Sequence, residues 1–174
     1  MAYTLKDVFY LDGSVSTDQS DGTVGIAGDS FSGQLDVSTF VDSIARGQKD
    51  GYGLAIYRVQ FGLAGSSSGS DPVAMAEAGI FRAGLVAGVG TGNVAAGTSL
   101  AVNSSNAPSA KNALTVSAFD YYGPSSGDSH AQEPFRQFIT PTKEVPYIVV
   151  RDNVCLVGVI KATMIAELFI QFRM

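Results

Sequence analysis

The sequence predicts an all-β fold, an antiparallel β-sandwich of which the jelly roll is one form, with about eight strands and one short helix in a single domain over residues 1–174. Three observations predict it. Short runs rich in Val, Ile, Phe and Tyr alternate in polarity with the two-residue period of half-buried strands. Twenty glycines among many Ser and Thr, no Trp and only 16% charged residues suit short strands joined by many turns, whereas a helical bundle needs more Glu, Lys, Leu and Arg on its exposed faces. Finally, no repeat of fixed period is visible and strands do not alternate with ten-residue helices, which disfavours a propeller, a solenoid and a doubly wound parallel sheet.

Taken in order, residues 4–11 read as a first strand, closed by the turn dipeptide Asp12-Gly13. Residues 13–33 are rich in small polar side chains and read as an exposed loop with one short strand at 23–27. Gln34-Leu35-Asp36-Val37 is short and extended. Ser38 then has the character of an N-cap for a two-turn helix over 39–46, with Phe40, Val41 and Ile44 on one face and Gly47 as terminator.

Residues 52–63 form the next predicted strand, with Ala55, Tyr57, Val59, Phe61 and Leu63 on one face. A Gly/Ser connection over 65–72 ends it. Residues 73–89 would accept either a helical turn or a strand; the glycines at 79, 84, 88 and 90 favour a strand over 77–86. Another small-residue connection, residues 90–112, holds a short strand at 99–102. Residues 113–122 alternate as a strand, 123–134 is a polar loop, and 135–139 with the proline-punctuated 141–146 leads into the closing stretch.

That closing stretch organises the chain. Tyr147-Ile148-Val149-Val150 and the apolar run 154–160 flank Arg151-Asp152-Asn153, which predicts a hairpin. From Met164 to Met174 every even position is apolar (Met164, Ala166, Leu168, Ile170, Phe172, Met174), the pattern of a strand with one face in a core.

Composition also limits function. A net charge of −5 and a pI near 4.6 provide no overall positive field for phosphate backbones, and the eleven Lys and Arg are scattered singly, so direct nucleic-acid binding is not expected. One cysteine, Cys155, precludes an intramolecular disulfide, and its apolar run predicts a small buried core residue rather than a nucleophile. With one cysteine and one histidine the usual structural zinc site is excluded within one chain. Residues 1–7 lack the basic and apolar regions of a signal peptide, and residues 83–110, the longest uncharged span, are too polar to cross a bilayer.

The sharpest motif is Gly28-Asp29-Ser30-Phe31-Ser32-Gly33 after Thr23-Val24-Gly25-Ile26-Ala27. It is similar to the first block of the GDSL/SGNH hydrolases, in which a strand delivers a nucleophilic Ser at the start of a helix. That resemblance implies Ser30 as the nucleophile of an ester hydrolase, with Gly90-Thr91-Gly92-Asn93 echoing the oxyanion-hole block. The family also needs Asp-x-x-His near the C-terminus. Here the single histidine, His130, stands in Gly127-Asp128-Ser129-His130, two places after Asp128, and the stretch beyond it reads as strand. Gly88-Val89-Gly90-Thr91-Gly92 has neither the Lys-Ser/Thr of a phosphate loop nor dinucleotide spacing. The aspartates between Asp12 and Asp29 match no EF-hand spacing and read as a solvated acidic loop.

A short, acidic, Gly/Ser-rich β-chain that opens Thr-Leu-Lys-Asp-Val-Phe-Tyr-Leu-Asp-Gly and closes Val-Ile-Lys-Ala-Thr-Met-Ile-Ala-Glu-Leu-Phe-Ile-Gln-Phe-Arg-Met resembles the single jelly-roll major capsid proteins of icosahedral archaeal and bacterial viruses. The resemblance implies a non-catalytic structural protein, made in the host cytoplasm, that self-associates into capsomers of a virion shell. It implies no cofactor, no metal and no catalytic residue. Many RNA-virus jelly-roll capsid proteins carry a basic N-terminal arm for the genome. This sequence has none, which leaves genome contact to other capsid proteins or to an underlying internal membrane.

Overall fold

A computed structural model of the chain describes residues 10–17, 27–41, 53–65, 79–87, 108, 114–123, 135–164 and 167–174. Within them run ten strands: β1 (Asp12–Ser16), β2 (Ser30–Asp36), β3 (Leu54–Ile56), β4 (Gln60–Ala64), β5 (Ile80–Ala87), β6 (Thr115–Tyr122), β7 (Phe135–Ile139), β8 (Tyr147–Val149), β9 (Asn153–Ala162) and β10 (Phe169–Arg173). They form a three-stranded sheet in the order β1-β10-β4, a five-stranded sheet in the order β2-β9-β5-β6-β7, and a two-stranded ribbon β3-β8. Every pairing is antiparallel.

The pairings are nested: β1 pairs β10, β2 pairs β9 and β3 pairs β8. The chain therefore forms one long antiparallel ribbon, and successive rungs of that ribbon fall in different sheets. Winding brings β4 beside β10 and β5 beside β9. An antiparallel ribbon wound on itself into two facing sheets is a jelly roll.

The alternation expected from Met164 to Met174 is realised as a strand over Phe169–Arg173; Met164 precedes it outside any strand, and Ala166 lies outside the described residues. Met164, Leu168, Ile170 and Phe172 are buried and Met174 is half-buried, while Phe169, Gln171 and Arg173 are more exposed. Leu11 and Met174 exchange both backbone hydrogen bonds, N–H of Leu11 to O of Met174 at 3.0 Å and the reverse at 2.8 Å, which adds a rung beyond β1 and β10. At the other end Thr17 is buried; its N–H donates to Leu168 O at 2.8 Å and its Oγ1 accepts from Leu168 N–H at 3.0 Å.

Between the sheets the core is largely aromatic. Phe31 of β2 meets Phe81 of β5 edge-to-face at 5.8 Å, Phe81 meets Phe119 of β6 at 5.9 Å, and Phe119 stacks on Phe135 of β7 at 4.5 Å. Phe61 of β4 reaches across from the smaller sheet to Phe119 at 4.7 Å. Each such pair stabilises by about 0.5–1.5 kcal/mol beyond the area it buries. The rings therefore tie four strands of one sheet to the other.

Several expectations change. Asp12-Gly13 does not close a strand; it opens β1, because its partners are Arg173 and Phe172 of β10. The expected strand 4–11 lies outside the described residues except for Tyr10 and Leu11. Residues 13–33 are not one loop, since β1 and the start of β2 fall within them; of the expected strand 23–27 only Ala27 is described, and it lies in a turn.

In place of the start of a helix over 39–46 there is a 3-10 turn, Ser38–Phe40, with Val41 already extended; residues 42–46 lie outside the described set. Ser38 is not the cap. Instead Asp36 Oδ1 accepts the Ser38 N–H at 2.8 Å, and Val37 and Val41 are anchored in the core.

Of the expected strand 52–63, the described residues 53–63 run through two strands, β3 and β4. Ile56 and Val59 are buried on either side of exposed Arg58, so the inward face moves from even to odd positions where the chain passes from the ribbon to the three-stranded sheet. The hairpin about Arg151-Asp152-Asn153 is likewise not formed. β8 pairs with β3 and β9 with β2, and the Val37 N–H donates to Asp152 O at 2.7 Å, which holds the connection against the end of β2.

Within the described residues the expected strands 77–86 and 113–122 correspond to β5 and β6, and residues 135–139, which lead into the closing stretch, form β7. The expected strand at 99–102 lies outside the described residues.

Candidate assembly surface

The five-stranded sheet sends Phe31, Phe81, Phe119 and Leu156 to the core, and its other face carries the chemistry. One register row crosses that outer face: Ser30 opposite Val159, Val159 opposite Arg82, Arg82 opposite Asp120, and Asp120 opposite Arg136. Strand alternation puts all five on one side. The row runs from the edge strand β2 to the edge strand β7.

At its centre Arg82 clasps Asp120 with two parallel hydrogen bonds, Nε to Oδ1 at 2.6 Å and Nη2 to Oδ2 at 2.9 Å. The Tyr122 hydroxyl donates to Asp120 Oδ2 at 3.4 Å, and the guanidinium lies 4.7 Å from the centroid of the Phe138 ring. The hydrogen-bonded carboxylate raises the Arg82 pKa above its ordinary value, against a smaller opposing effect of burial. This planar, bidentate pair fixes the guanidinium and leaves part of it open to solvent, at 37% side-chain exposure against 13% for Asp120.

Around the pair stand Ile80 and Tyr122, directly opposite each other and 36% and 44% exposed. Arg136 on β7 and Lys161, at the irregularity in the β5–β9 ladder, are exposed. Elsewhere Val145 and Tyr10 protrude, 73% and 74% exposed, with Arg173 5.8 Å from the Tyr10 ring.

Ser30 sits in the first position of β2, half-buried and paired with Val159. The strand-to-helix turn that exposes a hydrolase nucleophile is not built there, because the chain continues as strand to Asp36. His130, Gly90 and Asn93 lie outside the described residues. Asp12 is exposed on β1 and Asp29 is exposed just before β2, while the aspartates between them are outside the described set.

Cys155 faces the outer side of β9 among Val86, Val157 and Leu114 and is 1% exposed. Burial pushes its thiol up to about 11. That is the environment of an inert core thiol, as its apolar run predicts.

Sequence reasoning missed the Arg82–Asp120 pair. No local signal could have found it, because the partners are 38 residues apart and meet only through the β5–β6 register.

The fold and this surface define an all-β antiparallel sandwich wound as a jelly roll. Comparisons with protein-family models, with curated proteins and with solved structures find no match to this chain.

Proposed function

We propose that the chain is a structural shell protein of the jelly-roll capsid type, which self-associates into capsomers of a virion and performs no catalysis. The observation that carries the proposal is the outer face of the five-stranded sheet. It offers Arg82, Arg136, Tyr122, Ile80 and Phe138 together, the residue types that dominate protein–protein contacts. The nested winding and the opening and closing stretches that resemble capsid proteins support the same reading. The surroundings of Ser30, a strand position beside Val159, support a hydrolase less well.

Light scattering and negative-stain microscopy of the purified chain test the proposal. Discrete, large, regular assemblies with no esterase turnover are expected. A monomer that hydrolyses a nitrophenyl ester, and loses that activity in Ser30→Ala, would overturn it.

A further inference from the structure

We infer that the Arg82–Arg136 region of the outer face is the docking site for a second copy of this chain, and that the segment received is the turn bearing Glu144 and Val145. The inference rests on the shell reading. It goes further by naming both sides of one contact.

Charge complementarity selects the occupant. Among the described residues, Arg82 and Arg136 lie on either side of Asp120 in the register of the outer face, Asp120 is engaged by Arg82, and exposed Lys161 stands at the irregularity of the β5–β9 ladder. The whole chain carries sixteen Asp and Glu against eleven Lys and Arg, so this basic spot leaves the remaining surface more acidic than the total of −5. Two copies therefore attract when the spot on one faces the surface of the other. Ile80, Tyr122 and Phe138 in the same spot favour a protein side chain over a phosphate backbone.

Among the described residues the turn at 142–145 joins an exposed apolar tip to an exposed carboxylate. The Thr142 N–H donates to Val145 O and the Val145 N–H donates to Thr142 Oγ1, both at 3.1 Å, so the turn is pre-shaped and loses little freedom on docking. It presents Val145, 73% exposed, beside the exposed carboxylate of Glu144, with Lys143 preceding them. Val145 supplies an apolar tip for Ile80 and Tyr122, and Glu144 supplies a charge for Arg136. When the turn of each copy enters the spot of the next, the contact is head-to-tail and generates a ring or lattice.

The test is a charge exchange on the full chain: Arg136→Glu, Glu144→Arg and the double variant, with circular dichroism to verify folding and light scattering to read assembly. Each single variant juxtaposes like charges and should raise the concentration needed for assembly about tenfold or more. The double variant should restore it. If the wild type assembles and the single variants assemble equally well, the contact is wrong and the shell reading stands. Impaired single variants without recovery in the double variant overturn the pairing. A wild type that stays monomeric at every concentration overturns both readings. Loss of binding to a single-stranded oligonucleotide in Arg136→Glu, with assembly unchanged, assigns the spot to nucleic acid and overturns the contact.

Discussion

Gly158 on β9 lies directly opposite Phe31 on β2, and the Phe31 ring fills the space that a β-carbon on residue 158 would occupy. Phe31 is 1% exposed and begins the row of aromatic contacts, so it has nowhere to retreat. Gly158→Ala should therefore cost about 2–3 kcal/mol in chemical denaturation, the cost of overpacking a tight core. Gly62→Ala is the control. There the nearest atom to an added β-carbon is Gln171 Oε1 at 3.7 Å, and the change should stay within about 0.5 kcal/mol.

The two sides of the Arg82–Asp120 pair are unequally open, so their removal should not be equivalent. Among the described residues, Arg82→Ala leaves a mostly buried carboxylate with the 3.4 Å bond from Tyr122 alone and should destabilise by about 2 kcal/mol. Arg136→Ala, at an exposed edge position, should change stability by under about 0.5 kcal/mol. Arg82→Lys should recover only part of the loss, because an ammonium cannot make both parallel hydrogen bonds. Thermal unfolding of the three variants ranks them.

Cys155 gives the fold an alkaline sensitivity. Its thiol is held up to about 11 in the folded chain, against 9.0 for a solvent-exposed cysteine. Between those values the unfolded chain loses the proton and the folded chain keeps it, so stability is complete below pH 9 and falls as pH rises towards 11, by roughly 2–3 kcal/mol. Cys155→Ala should remove that slope. A thiol reagent at pH 8 should label the wild type only when denaturant is added.

Removing residues 169–174 should abolish folding. β10 is the middle strand of its sheet, and without it β1 and β4 lose every ladder hydrogen bond they share with it. The expected result is insoluble or unfolded protein by circular dichroism. A soluble truncation that assembles normally would count against the architecture and the proposed function together.

Periodicity made the closing strand and β6 legible, because each runs along one sheet with one phase, and glycines favoured β5 as a strand. It misled where the chain changes sheet. Residues 52–63 look continuous since hydrophobic residues persist through Tyr57-Arg58-Val59, yet the hydrogen-bonding partner changes from β8 to β10 there. The same holds for Arg151-Asp152-Asn153, where two β-branched runs about a polar turn imitate a hairpin although their partners lie far away at β3 and β2. Asp12-Gly13 is a turn signal that a long-range partner overrode. On the outer face the sequence displays the arginines but not their company, since the row from Ser30 to Arg136 exists only once five strands are in register.

The nesting of early strands with late ones also sets a schedule. Ser16 and Glu167, which are hydrogen-bonded, stand 151 residues apart in the chain. Contacts of such range must overcome loop-closure entropy before they stabilise anything, which makes folding slow. During synthesis β1 and β2 therefore wait, with edges unpaired, until β9 and β10 emerge from the ribosome. Since β9 and β10 are interior strands of the two larger sheets, the early strands stay open to non-native pairing until those late strands have been made, and full folding cannot precede their synthesis.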